Sequence, residues 1–137
     1  MNLAALALVG TGGALGAIAR YALTLALPRE LGELPLATLL SNLIGCLVIG
    51  AALQWLAESD WLSGTRVMHE HYRLLIAIGF CGSFTTLSSM VFELSAMMER
   101  NLVLNAFSYL AATLVGGFVC FYVGATLVRT LSGLTLR

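Results

Sequence analysis

The chain has 137 residues, of which 59% are hydrophobic and only 10% charged, and its formal net charge is zero. That balance excludes an ordinary soluble domain, and it offers no basic surface for nucleic acid, so no nucleic-acid partner is expected. Long uncharged gaps, Met1 to Ala19, Leu34 to Ala57, Leu74 to Phe92 and Asn101 to Val128, are each long enough to cross a hydrocarbon core, which takes about 20 apolar residues in a helix.

Backbone groups cannot stay unpaired in lipid, so the gaps predict four spanning helices in a single transmembrane domain: residues 2–27, 36–57, 73–98 and 102–130. The connections are PRELGELP, ESDWLSGTRVMHEH and ERN. The first helix, Asn2 to Leu27, is not expected to be a signal peptide, because no basic residue precedes Arg20. It carries VGTGGALGA, with Gly12 and Gly16 at the spacing that lets two helices approach closely.

The second helix, Leu36 to Ala57, places Thr38 and Asn42 on one face and adds Gly45 and Gly50. The third, Arg73 to Met98, spends its middle on GFCGSFTTLSSM, Gly79 to Met90. Glycine is a poor helix former and threonine can bond its own backbone, so a break is expected there, freeing carbonyls that suit a monovalent cation. A mere packing kink is the simpler alternative. The fourth helix, Leu102 to Thr130, repeats Asn105, Tyr109, Thr113 and Gly117 at intervals of four and carries Gly116 and Gly124.

Three helices thus each offer a stripe of hydroxyl or amide groups, which in hydrocarbon must face protein or water. For Ser41, Ser95 or Ser108 taken singly, a hydrogen bond between helices is the simpler reading; for three stripes together, a solvated pathway is favoured. Donors along it, from Thr38, Asn42, Ser88, Ser89, Tyr109 and Thr113, suit a small hydrated anion. Glu93 is the one carboxylate at depth that would serve a proton-coupled exporter, and an interfacial carboxylate paired with arginine or water is the competing reading.

Orientation is weakly encoded, since there is no lysine and the seven arginines divide between Arg66, Arg73, Arg129 and Arg137 on one side and Arg20, Arg29 and Arg100 on the other. Either a single orientation is loosely specified or the chain works as an inverted pair. Cys46, Cys81 and Cys120 all fall inside spans, which argues against disulfides. His69 and His71 flank Glu70 in a connection, where a solvated loop is a simpler reading than a metal site; Trp55, Trp61 and Tyr72 read as interfacial anchors. No nucleophile with a base, phosphate loop or zinc motif is present, so no enzyme is expected.

In combination, GFCGSFTTLSS, GALGAIARY in the first helix and TLLSNLIG in the second resemble, in order and over nearly the whole chain, the signatures of the Fluc/CrcB fluoride channels. The resemblance implies an all-α membrane protein with the third helix broken at its centre, assembled as an antiparallel, dual-topology homodimer in the cell inner membrane. It implies a passive, fluoride-selective export route that lowers fluoride toxicity, and a structural sodium ion at the dimer centre held by the main-chain carbonyls of Gly82 and Thr85. Thr38, Asn42, Leu87, Ser88, Met90, Glu93, Tyr109 and Thr113 are the implied pore-lining residues, with Arg20 in a structural place. Leu87 and Met90 stand where the family has phenylalanines, and Gly117 where it has a serine. Phe84, on the other side of the expected break, is not assigned the missing aromatic role. A small dual-topology multidrug exporter and a non-conducting subunit of a membrane assembly are the alternatives.

Overall fold

The computed structural model describes residues 2–27, 34–63 and 66–135, and these form helices and no β-strand. Arg29, Arg137 and most of the first connection lie outside the described residues, as do the side chains of Trp61 and Arg66. Four stretches are long and apolar enough to cross a bilayer: Leu3–Ala26, Leu36–Ser59, Met68–Glu99 and Val103–Gly133.

Helix α1, Leu3–Ala26, starts where the Asn2 side chain accepts from the Ala4 amide at 3.1 Å. It stops because Leu27 precedes Pro28 and takes the extended conformation, φ −104°, ψ 148°, that a following proline favours. Helix α2, Leu36–Ser63, continues past Ala57, so WLS belongs to a helix end rather than to a connection. After it, α3, Arg66–Tyr72, runs directly into a π-helical stretch, Arg73–Cys81, then one turn of α4, Gly82–Phe84. His69 and His71 therefore stand on a helix, and no group of three or more metal-ligating side chains occurs among the described residues.

The chain then breaks at Thr85 and Thr86 and resumes as α5, Leu87–Glu99. A tight turn follows, in which the Leu102 amide donates to the Met97 carbonyl at 2.9 Å and the Asn101 amide to Met98 at 3.0 Å. This pairing needs a left-handed residue, and Asn101 supplies it at φ 59°. Helix α6, Val103–Thr135, completes the fold.

Glycines set how closely the helices pack. A Cβ on Gly12 would strike the Leu75 carbonyl and one on Gly16 the Phe80 carbonyl, so α1 lies backbone to backbone against the π-helical stretch. Gly79 answers from the other side, its missing Cβ 2.9 Å from the Val9 carbonyl oxygen. Helices α2 and α6 meet in the same way, through Gly50 on the Phe121 carbonyl and Gly124 on the Leu47 carbonyl. Such contacts gain dispersion where lipid supplies no hydrophobic force between helices. The buried apolar cluster is small, Met90, Met97, Ala106 and Tyr109, and sits between α5 and α6. The many exposed leucines, valines and phenylalanines are what a lipid-facing or subunit-facing surface requires.

Candidate site at the interrupted helix

Two adjacent β-branched residues favour extended backbone, and here both adopt it: Thr85 at φ −81°, ψ 155° and Thr86 at φ −150°, ψ 117°. The break falls at these threonines, not at the glycines before them, because Gly79 is used for packing on α1. Thr85 closes the upstream helix, with both its amide (3.0 Å) and its hydroxyl (2.8 Å) donating to the Cys81 carbonyl. Thr86 opens the downstream one, its Oγ1 accepting from the Ser89 amide at 3.2 Å and donating to the Ser89 hydroxyl at 3.0 Å.

The backbone groups of Thr86 are satisfied from another helix. Asn42 Oδ1 accepts from the Thr86 amide at 2.8 Å, and Asn42 Nδ2 donates to the Thr86 carbonyl at 3.3 Å. A primary amide has the same donor and acceptor pair as a peptide unit, so Asn42 stands in for the neighbouring strand that the extended residue lacks. Asn42 is buried, where leaving either group unpaired would be costly.

These replacements leave two carbonyls over. In an unbroken α-helix the Gly82 carbonyl would accept from the Thr86 amide and the Thr85 carbonyl from the Ser89 amide. The first amide is taken by Asn42 and the second by the Thr86 hydroxyl. Among the described residues, no backbone amide outside the helices takes the place of either. Nothing lies within 4 Å of where a Gly82 Cβ would be, so this side of the break is open.

A second polar group lies further along α5. Glu93 accepts from the Thr38 hydroxyl on one carboxylate oxygen at 2.5 Å and from the Tyr109 hydroxyl on the other at 2.7 Å. Tyr109 is fully buried and Thr38 nearly so. Three spans thus converge on one carboxylate, with neutral donors rather than an arginine as its partners.

The remaining sequence-derived residues divide. Thr113 is buried but its hydroxyl donates to the Tyr109 carbonyl of its own helix at 2.9 Å, and Ser41 likewise turns to Thr38, also at 2.9 Å. The interhelical bond expected of Ser41 is therefore not made, since a helical serine reaches a carbonyl one turn back at little cost. Ser95 and Ser108 are exposed. Ser88 is exposed, its hydroxyl 3.4 Å from that of Thr86. Leu87 is 70% exposed while Met90 is 5% exposed, so the two positions face different surroundings. Phe84 is buried and stacked on Phe80 at 5.4 Å. Arg20 stands apart on α1, its Nε shielded and without a hydrogen-bond partner among the described residues.

Beside the break runs an open groove of about 570 Å³, bordered by Asn42, Thr85, Thr86, Leu87, Met90 and Thr113. Cys46, Cys81, Phe118 and Phe121 also line it, and none of these belongs to the polar stripes. The four-residue spacing from Thr113 through Gly117 to Phe121 is the signal that would have extended the stripe.

The family described as CrcB-like protein, Camphor Resistance (CrcB), matches residues 7–125 of the chain. A fluoride-specific ion channel FluC from Prosthecochloris aestuarii is 41% identical over 93% of this chain and 95% of its own length. Proteins of the same name from Chlorobium phaeobacteroides and Chlorobaculum tepidum are 41% and 37% identical, over 90% and 89% of this chain and 91% and 92% of theirs.

Proposed function

We propose, from the premise that this chain belongs to the CrcB family, that it is a passive, fluoride-selective channel of the cell inner membrane that lowers cellular fluoride, and not an enzyme. The observation that carries this reading is the correspondence, over nine-tenths or more of this chain, with chains named fluoride-specific ion channels. The geometry adds a physical basis. Thr38, Asn42, Leu87, Ser88, Met90, Glu93, Tyr109 and Thr113 border the route or hold its walls: the Thr38 and Tyr109 hydroxyls brace the Glu93 carboxylate, Asn42 braces the break, and the remainder is hydroxyl and apolar surface without fixed positive charge. Such a lining binds a small anion weakly enough to release it. Leu87 takes the exposed position beside the break, and Met90 supports the wall from within the buried cluster.

The functional unit in this reading is an antiparallel homodimer. Nearly balanced arginines remove the usual bias in insertion, and the open side of the break gives a second copy a place to close the groove. A structural sodium fits the freed carbonyls of Gly82 and Thr85, which are hard oxygen ligands. When bound, it would supply positive charge to the freed carbonyl dipoles of Gly82 and Thr85. Arg20 keeps a supporting place on α1. The exporter alternative gains nothing from the geometry, because both oxygens of the carboxylate it would need, Glu93, are engaged by hydroxyls.

Fluoride and chloride efflux from proteoliposomes, read with ion-selective electrodes, tests the proposal. Fast fluoride release without chloride release is expected. No release from folded, dimeric protein would remove the channel reading in favour of a non-conducting subunit.

A further inference from the structure

A further cavity adjoins the groove. Phe121 and Tyr122 border both the groove and this second cavity of about 330 Å³, whose far wall is Gln54 of α2 and Arg129 of α6. The two helices run in the same direction, with Gly116 beside Leu43, Gly117 beside Cys46 and Gly50 beside Phe121. From Thr113 to Arg129 the helix rises about 24 Å, so the two adjacent cavities together extend from beside the break towards the end of the span. Among the described residues that line them, Arg129 is the one carrying a fixed charge. Arg20, Arg73 and Arg100 border neither cavity.

An opposing charge stands close by. Glu58, one turn beyond Gln54, is held first by a hydrogen bond with Ser132 of α6 and by the Gln54 amide, which donates to it at 3.0 Å, with Arg129 a weaker electrostatic neighbour. A cation at the mouth of a low-dielectric channel concentrates anions there, and a neighbouring carboxylate reduces that field. Arginine stays charged at any working pH.

We infer that Arg129 draws small inorganic anions into the outer cavity and that Glu58 opposes it, the pair setting the rate of anion entry. The inference rests on the channel reading above and adds the residues that govern capture. Its signature is a dependence on ionic strength, because the Debye length falls from about 30 Å at 0.01 M to about 3 Å at 1 M.

The experiment is initial fluoride efflux from proteoliposomes holding the intact wild type, Arg129→Gln, Arg129→Lys or Glu58→Gln, at low and high concentrations of an impermeant salt. At low salt Arg129→Gln is expected to slow efflux by roughly three- to tenfold and Glu58→Gln to speed it, while Arg129→Lys stays near wild type. At high salt all four should come within about twofold of one another. Equal low-salt rates for wild type and Arg129→Gln would overturn the inference and leave the channel reading intact. A deficit in Arg129→Gln that high salt does not reduce would also overturn it, since that marks a structural role. No fluoride release from the wild type would overturn the channel reading and this inference together.

Discussion

The third span is held in two different ways on the two sides of its break. Upstream, the π-helical stretch is positioned by what α1 lacks: Gly12 and Gly16 leave room for two carbonyls, and Gly79 returns the contact. Downstream, α5 is positioned by what its neighbours supply, through Asn42 on Thr86 and through Thr38 and Tyr109 on Glu93. A steric seam is unforgiving because no rotamer relieves a backbone collision, whereas a hydrogen-bond clamp can lose one member and keep the others. The loose carbonyls of Gly82 and Thr85 are held between the two kinds of support.

The largest effect should come from the seam. Gly16→Leu would drive a side chain into the Phe80 carbonyl and is expected to cost about 3 kcal/mol or more, seen as loss of the folded peak in size-exclusion chromatography. Gly10→Leu, with nothing within 4 Å, is the control and should elute like the wild type. Next comes the clamp: Asn42→Leu leaves the Thr86 amide without its partner, at about 1–3 kcal/mol, while the Thr86 carbonyl keeps the bond an N-cap carbonyl accepts from its own helix, and the thermal midpoint in detergent should fall. If Asn42→Leu proved harsher than Gly16→Leu, the ranking of seam over clamp would be reversed.

Within the downstream half, Met90→Phe should cost about 1–3 kcal/mol by overpacking a buried site. Leu87→Phe should leave the midpoint unchanged, because that side chain is largely exposed. Efflux from both variants then separates a residue that lines the route from one that only supports its wall. Tyr109→Phe removes one hydrogen bond to a carboxylate and should cost about 1.5–3 kcal/mol. Combined with Glu93→Gln it should cost less than the sum of the single changes, as groups sharing one bond do.

Apolar gaps were legible as four spans because bilayer thickness fixes a minimum length, and the break was legible because glycine and threonine are weak helix formers. Its place between Phe84 and Leu87 came from the family resemblance; composition alone does not separate Thr85 and Thr86 from Gly79 and Gly82 until the packing of α1 is known. The partnership of Asn42 with Thr86 joins residues 44 apart in sequence, and that of Thr38 with Glu93 joins residues 55 apart. Neither distance is encoded in local periodicity. The π-helical stretch had no sequence signal, and the helical end of α2 was hidden because polar residues leaving a bilayer look like a loop. Glu93 was recognised as a carboxylate at depth, but its two neutral partners became apparent only when three spans were brought together.

The turn at Asn101 fixes the phase of the last helix. Each residue advances an α-helix by about 100°, so a single insertion between Arg100 and Val103 would swing the Tyr109 hydroxyl away from Glu93 and carry the whole row that ends at Arg129 off the groove. Substitution at position 101 has an escape, because glycine also adopts a left-handed backbone. A change of length has none. The turn between these two helices therefore tolerates a change of residue more readily than a change of length.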